Sequence, residues 1–169
     1  MLHLADALVR PTLCEPRLIG VTRDGRPIYS VEGGATGVAM SNDLENKVLD
    51  HILSATTYTP VVTTFIALFT ADPGETFAGT EVTGGSYARV SYTNNITNWP
   101  AASGGSKSNG VVIDFGTATA NWGTITHTVI ASASSGGVAL FYGTLTASKT
   151  VNNGDGFKFL ATKLVVALD

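Results

Sequence analysis

The sequence predicts an all-β fold, an antiparallel β-sandwich with one short N-terminal helix and an extended N-terminal arm. Three observations carry that expectation. Apolar runs with period-two alternation recur from Pro60 to the end, a spacing that sends alternate side chains to one face of a sheet. Turn signals such as Asp72-Pro73-Gly74 and Ser134-Ser135-Gly136-Gly137 separate them. The stretch around residues 43–54 carries the one convincing helical periodicity, beyond a short amphipathic turn expected at Leu2, Leu4, Ala5 and Leu8.

Composition agrees. The chain has 169 residues, enough for one domain with a core of its own. Hydrophobic residues make up 44% and charged residues only 14%, against about 25% in ordinary globular proteins. Thr, Ser, Asn and Gly therefore keep the surface polar, which suits strands and tight turns. A formal charge of −3 argues against a nucleic-acid partner. Cys14 is the sole cysteine, so no internal disulfide is expected. No run of 18 apolar residues suggests a membrane span. The N-terminal arginines follow the apolar residues, the wrong order for a secretory signal, so synthesis in a cytoplasm is expected.

Two segments of different composition meet near Met40. Residues 1–40 contain Arg10, Arg17, Arg23 and Arg26 together with Pro11, Pro16 and Pro27. Proline removes a backbone donor and disfavours helix before it, so this part is expected to be an extended arm. Within it, Leu18, Ile19 and Val21 precede Asp24-Gly25, and Ile28, Tyr29 and Val31 follow. That arrangement predicts a hairpin. Gly33 to Gly37 reads as a flexible joint. Residues 41–169 then form the sandwich domain, which is expected to fold without the arm.

The domain opens with a helix over about 43–54. Asn42 followed by Glu45 resembles a capping box, and Leu44, Val48, Leu49, Ile52 and Leu53 form an apolar stripe. VVTTFIALFT (61–70) is apolar on both faces, as a doubly covered central strand would be. Further strands are expected at 87–93, 111–118, 124–132, 138–146 and 157–168. In the last of these Phe157 and Phe159 are out of phase with Leu164, Val166 and Leu168. A bulge at Ala161-Thr162-Lys163 would reconcile them, because one extra residue flips the face.

The search for chemistry yields little. His127 and Asp114 lie on separate predicted strands, but no G-x-S-x-G elbow accompanies them. His127 alternates with Ile125 and Val129 and is expected to face inward. Asp155 in NNGDG reads as a turn aspartate, without the repeated acids of a calcium loop. No catalytic residue, metal or cofactor is expected, and hence no enzyme. Trp99 and Trp122 are expected to plug the ends of the sandwich, with sugar stacking as the alternative role. Val165 and Ala167 make the second face of the last strand apolar. Either the helix covers that face or a neighbouring copy does, which would make Val165 and Ala167 a subunit contact in a closed ring such as a trimer.

The pieces LENKVLDHIL, TTFIALFTADP, GGSYARVSYTNNITNWPAASGGSKSNG, WGTITH and ASKTVNNGD resemble, in order and spacing, a family of small bacteriophage virion proteins of the head-decoration or tail-fibre-like type. The arm segment RLIGVTRDGRPIYSVEGG is similar to a segment of head proteins from phages of actinobacteria. These resemblances imply a virion structural protein, and the apolar second face of the last strand and the low charge add the expectation of a homo-oligomer. The preferred expectation is a capsid decoration or minor head protein on the capsid surface. Its arm would bind the major capsid protein through Arg10, Arg17, Arg23, Arg26 and Tyr29, since arginine makes bidentate pairs with carboxylates. A tail or tail-fibre component touching the host is the first alternative, and a carbohydrate-binding module is the second.

Overall fold

Alternating apolar residues become strands wherever both faces find cover. In the computed structural model, which describes residues 17–21 and 25–168 apart from the Thr36 side chain, the elements are β1 (Arg17–Val21), β2 (Pro27–Met40), α1 (Asn42–Leu53), β3 (Thr63–Phe69), a single 3-10 turn (Gly74–Thr76), β4 (Val90–Thr93), β5 (Ser106–Ser108), β6 (Ile113–Thr117), β7 (Gly123–Ala131), β8 (Ala139–Val151) and β9 (Gly156–Ala167). The protein is all-β with one short helix, as expected. The strands form one large sheet in the order β4-β3-β7-β8-β2-β9-β5, with β1 beside β2 and β6 beside β9. The sheet is mixed, because β2 and β9 run parallel while the other pairings are antiparallel.

The sheet curls until its far ends meet over a common core. Tyr92 on β4 hydrogen-bonds the Val111 carbonyl at 3.0 Å, just before β6. Tyr87 stacks on Phe115 of β6 with ring centroids 6.1 Å apart. The core thus joins Ile66, Leu68, Ile125, Ile130, Leu145 and Phe157 from strands across the whole sheet. A second cluster lies on the outer face of β3, β7 and β8, where Ala67, Phe69, Val129 and Ala131 sit under Phe77. β3 is therefore covered on both sides, as its sequence predicts.

Residues 27–40 depart most from expectation. Expected as arm and joint, they form a strand hydrogen-bonded to β9 over Ser30–Val38 and to β8 over Ala35–Met40. Val31, Ala35 and Val38 are buried. The glycines that suggested a joint instead allow close packing. A Cβ on Gly33 would overlap the Phe157 ring. The hairpin expectation holds for the described residues, since β1 pairs antiparallel with β2, although β1 is exposed throughout.

The bulge expected in the last strand is present. On β9, Phe159 pairs with Gly33 and Leu164 with Ala35, so residues 160–163 lie against Gly34 alone. Thr162 adopts the left-handed conformation at φ 67°. Asn109, fully buried, holds the distortion. Its amide donates to Leu160 O and Val111 O, its Oδ1 accepts from Leu164 N, and its own carbonyl accepts from Thr162 N. Phe157, Phe159, Leu164 and Val166 thereby all face the core. Leu168, expected there too, is exposed.

The helix also differs from expectation. Ser41, not Asn42, is the N-cap, accepting from Leu44 N, and only Leu44 is buried. Leu49, Ile52 and Leu53 are 54%, 68% and 77% exposed. The outer face of the sheet is covered by the loop around Phe77, which stacks on Phe69. Arg89 locks that loop. It grips Glu81 with two hydrogen bonds of 2.8 Å, bonds the carbonyls of Ala133 and Gly136, and lies over the Phe77 ring.

Removing residues 1–26 should leave cooperative thermal unfolding by circular dichroism, whereas removing 1–40 should abolish it, because β8 and β9 pair through β2. Phe159→Ala should cost about 3–5 kcal/mol in urea melts. Leu18→Ala should change stability by less than about 0.5 kcal/mol.

Arg89→Ala leaves Glu81 with the Tyr87 hydroxyl but without its cationic partner. The expected loss is about 3 kcal/mol, checked in the same melts. Recovery with Glu81→Gln added would confirm that the unpaired carboxylate is the cause.

Candidate functional site

The two ends of the molecule differ in chemistry. At the Pro27 end the Asn152–Asp155 turn docks on the start of β2. Asp155 is buried, and its carboxylate accepts from Tyr29 N at 3.3 Å and Asn152 N at 2.9 Å. The turn role was legible in the sequence, but the link to β2 was not. Trp122 closes this end, donating to Gly85 O at 2.9 Å and packing edge-on to Tyr87. At the other end of the strands Trp99 packs edge-on to Tyr92. Both tryptophans are buried plugs.

At the Met40 end the curled sheet stays open between β4 and β5. The gap is a groove of about 500 Å³, within the roughly 300–1,000 Å³ of small-molecule sites. Ile130, Phe141 and Val166 of the core form its floor, and Trp99 forms a wall. The Trp99 loop is wound locally, because Asn95 Oδ1 accepts from Thr97 N and Asn98 N, a turn that asparagine favours. Ile96, 71% exposed, and Leu168 extend the apolar surface to the mouth.

The polar rim is largely committed within the protein. Thr64 donates to Asn94 Oδ1 and the Tyr92 carbonyl. Asn94 donates to Val61 O, and Ser106 donates to Ser103 O. Lys107 on β5 also lines the groove. It lies opposite Val166 in the β5–β9 ladder and is the one cationic group among the described residues that line the groove. Such a lining is chemically matched to apolar groups with a negative charge beside them. A sugar, which needs several converging polar partners, finds few here.

The remaining candidate residues are scattered. His127 does not face the core. A register shift between Ile125 and His127 turns it to the outer face beside Phe69. There it bonds Thr126 Oγ1 at 2.8 Å and lies 4.0 Å from Asp72. Asp114, on β6, accepts from Gly116 N within its own turn. The two share no contact that would support proton transfer. Among the described residues no group of His, Cys, Asp or Glu could hold a metal, and no helix is long and apolar enough to cross a membrane.

Arg17 begins β1 opposite Ser30, Arg26 directly precedes β2, and Tyr29 lies near the start of β2 opposite Leu18, so the two arginines stand at opposite ends of the β1–β2 pairing. Arg10 and Arg23, like Cys14 and the turn expected over residues 2–8, lie outside the described residues. Val165 and Ala167 are half-buried on β9, opposite Ser108 and Ser106 of β5. The helix meets the sheet at β8. The groove itself was missed in the sequence, although the apolar Ile96 and Trp99 in an otherwise polar loop were a signal.

Residues 39–167 match a family model described as "Gp80: Podophage GP4 fiber I protein gp80". No curated protein matches the chain.

Because Trp99 is a wall and not a surface platform, Trp99→Ala should cost about 3–5 kcal/mol in urea melts. An unchanged stability would mean that the ring is free for a ligand.

Proposed function

The chain belongs to the family of podophage GP4 fiber I protein gp80, and from that premise we propose that it is a fibre component of the phage particle with no catalytic activity. That it is a bacteriophage structural protein follows from the family. The observation that carries the finer reading is the extent of the match, which takes in α1, β3 to β9 and the groove lining apart from Leu168. The Pro27 end, with Arg17, Arg26 and Tyr29, then serves attachment to neighbouring virion proteins. Arginine suits carboxylates on such a partner. The Met40 end carries the groove and the exposed face of α1.

The decoration reading treated residues 1–40 as a tether across the capsid. With Pro27–Met40 inside the sheet, only residues 1–26 remain for that role, so the fibre reading is preferred.

Quantitative mass spectrometry of purified particles, and of heads stripped of tails, tests it. The chain should follow the tail and fibre fraction at low copy number. Retention on tail-less heads at a copy number near that of the major capsid protein would overturn the proposal in favour of decoration.

A further inference from the structure

Two apolar surfaces remain uncovered at the Met40 end, and they differ in shape. One is convex. Leu49, Ile52 and Leu53 follow i, i+3, i+4 spacing and make a ridge on the second half of α1. The helix is pinned to the sheet side at its start, where Ser41 N and Oγ bond the Leu140 and Ala139 carbonyls and Asn42 N donates to Glu75, while near its end His51 bonds Thr56 and Tyr58 of the segment that follows. The other surface is concave, the groove between β4 and β5 with its apolar floor. Asp50 follows Leu49 directly and precedes Leu53 by one turn. Lys107 stands on the groove rim, and neither side chain has an ion-pair partner among the described residues.

A helix cannot seat in the groove of its own chain. Its root lies on the outer face of β8, beside Glu75 and Tyr142, which bond each other. The groove opens on the inner face, where Phe141 forms the floor. Adjacent residues on a strand point to opposite sides, so β8 itself separates the two. We propose that the α1 ridge of one copy seats in the groove of a second copy, with Asp50 against Lys107. The contact uses different surfaces on the two partners, so it is heterologous. Repeated, it closes into a ring or extends into a filament. It follows the helix-in-groove mode of recognition, and it stands independently of whether the chain serves in a fibre or on the head.

The full chain carrying Cys14→Ser tests this with Ile52→Cys and Ile96→Cys, both exposed positions. Mixing the two single-cysteine proteins under mild oxidation should give a covalent dimer, and the double variant should give a ladder. Cross-linking only within one chain, only between like sites, or not at all would overturn the proposal. Light scattering supplies the second arm. The natural chain should be oligomeric, and Leu53→Glu should be monomeric with an unchanged melting temperature. Asp50→Lys and Lys107→Glu should each weaken association several-fold, and together restore it. A natural chain that is monomeric at all accessible concentrations, or a Leu53→Glu variant that stays oligomeric, would also overturn it. So would particles in which Ile52→Cys cross-links only to a different virion protein.

Discussion

β8 and β9 do not pair with each other. Each pairs with β2, antiparallel on one side and parallel on the other, and the sheet is continuous only because that strand lies between them. Buried backbone N–H and C=O groups have to be matched, so taking β2 away would strand donors and acceptors along two long strands. It would also remove Val31, Ala35 and Val38 from the core. The close approach of β2 to β9 requires a residue without a side chain at Gly33, where the Phe157 ring fills the space. Glycine usually weakens a strand. Here it permits the packing that the strand depends on.

The bulge in β9 is the second constraint, and it follows from the first. β9 must present Phe157 and Phe159, then Leu164 and Val166, to the same core while running beside a β2 strand that kinks at Gly37, where φ is 68°. Four residues are accommodated at 160–163, and Asn109 satisfies the backbone groups that the ladder loses there. A buried amide with every polar atom paired is stabilising, but a half-paired one is costly. Asn109 therefore couples β5, which starts the groove rim, to the strand that forms the groove floor.

These constraints give the molecule polarity. A buried tryptophan packs at each end, and at the Pro27 end the Asp155 carboxylate ties the Asn152–Asp155 turn to the start of β2. At the Met40 end the curled sheet opens into an apolar groove, and α1 projects with an uncovered ridge. A monomer in water rarely keeps such surfaces free. In a structural protein of a phage particle, which works among close neighbours, these are the surfaces that the proposed contact between copies would cover. The low charge of the chain is consistent with that setting.

The sequence by itself determined the all-β class, the helix position to within a residue, the doubly covered β3, the β7–β8 hairpin and the bulge in β9. Each is local, set by residue periodicity, turn residues or a phase change within one run, and local signals survive without the rest of the fold. Tertiary structure decided what the same signals could not distinguish. Gly33, Gly34 and Gly37 fit a flexible joint as well as a tightly packed strand, and only the Phe157 ring against Gly33 chooses between them. The alternation of Ile125, His127 and Val129 promised an inward histidine, but a bulge set by pairing with β8 turned it outward. The helical stripe was correctly placed in sequence, but its burial depended on which segment covers the outer face of the sheet. The loop carrying Phe77, held by Arg89 and Glu81, took that place. The apolar ridge of α1 was left facing outward because burial depends on the partner surface as much as on the pattern that seeks it.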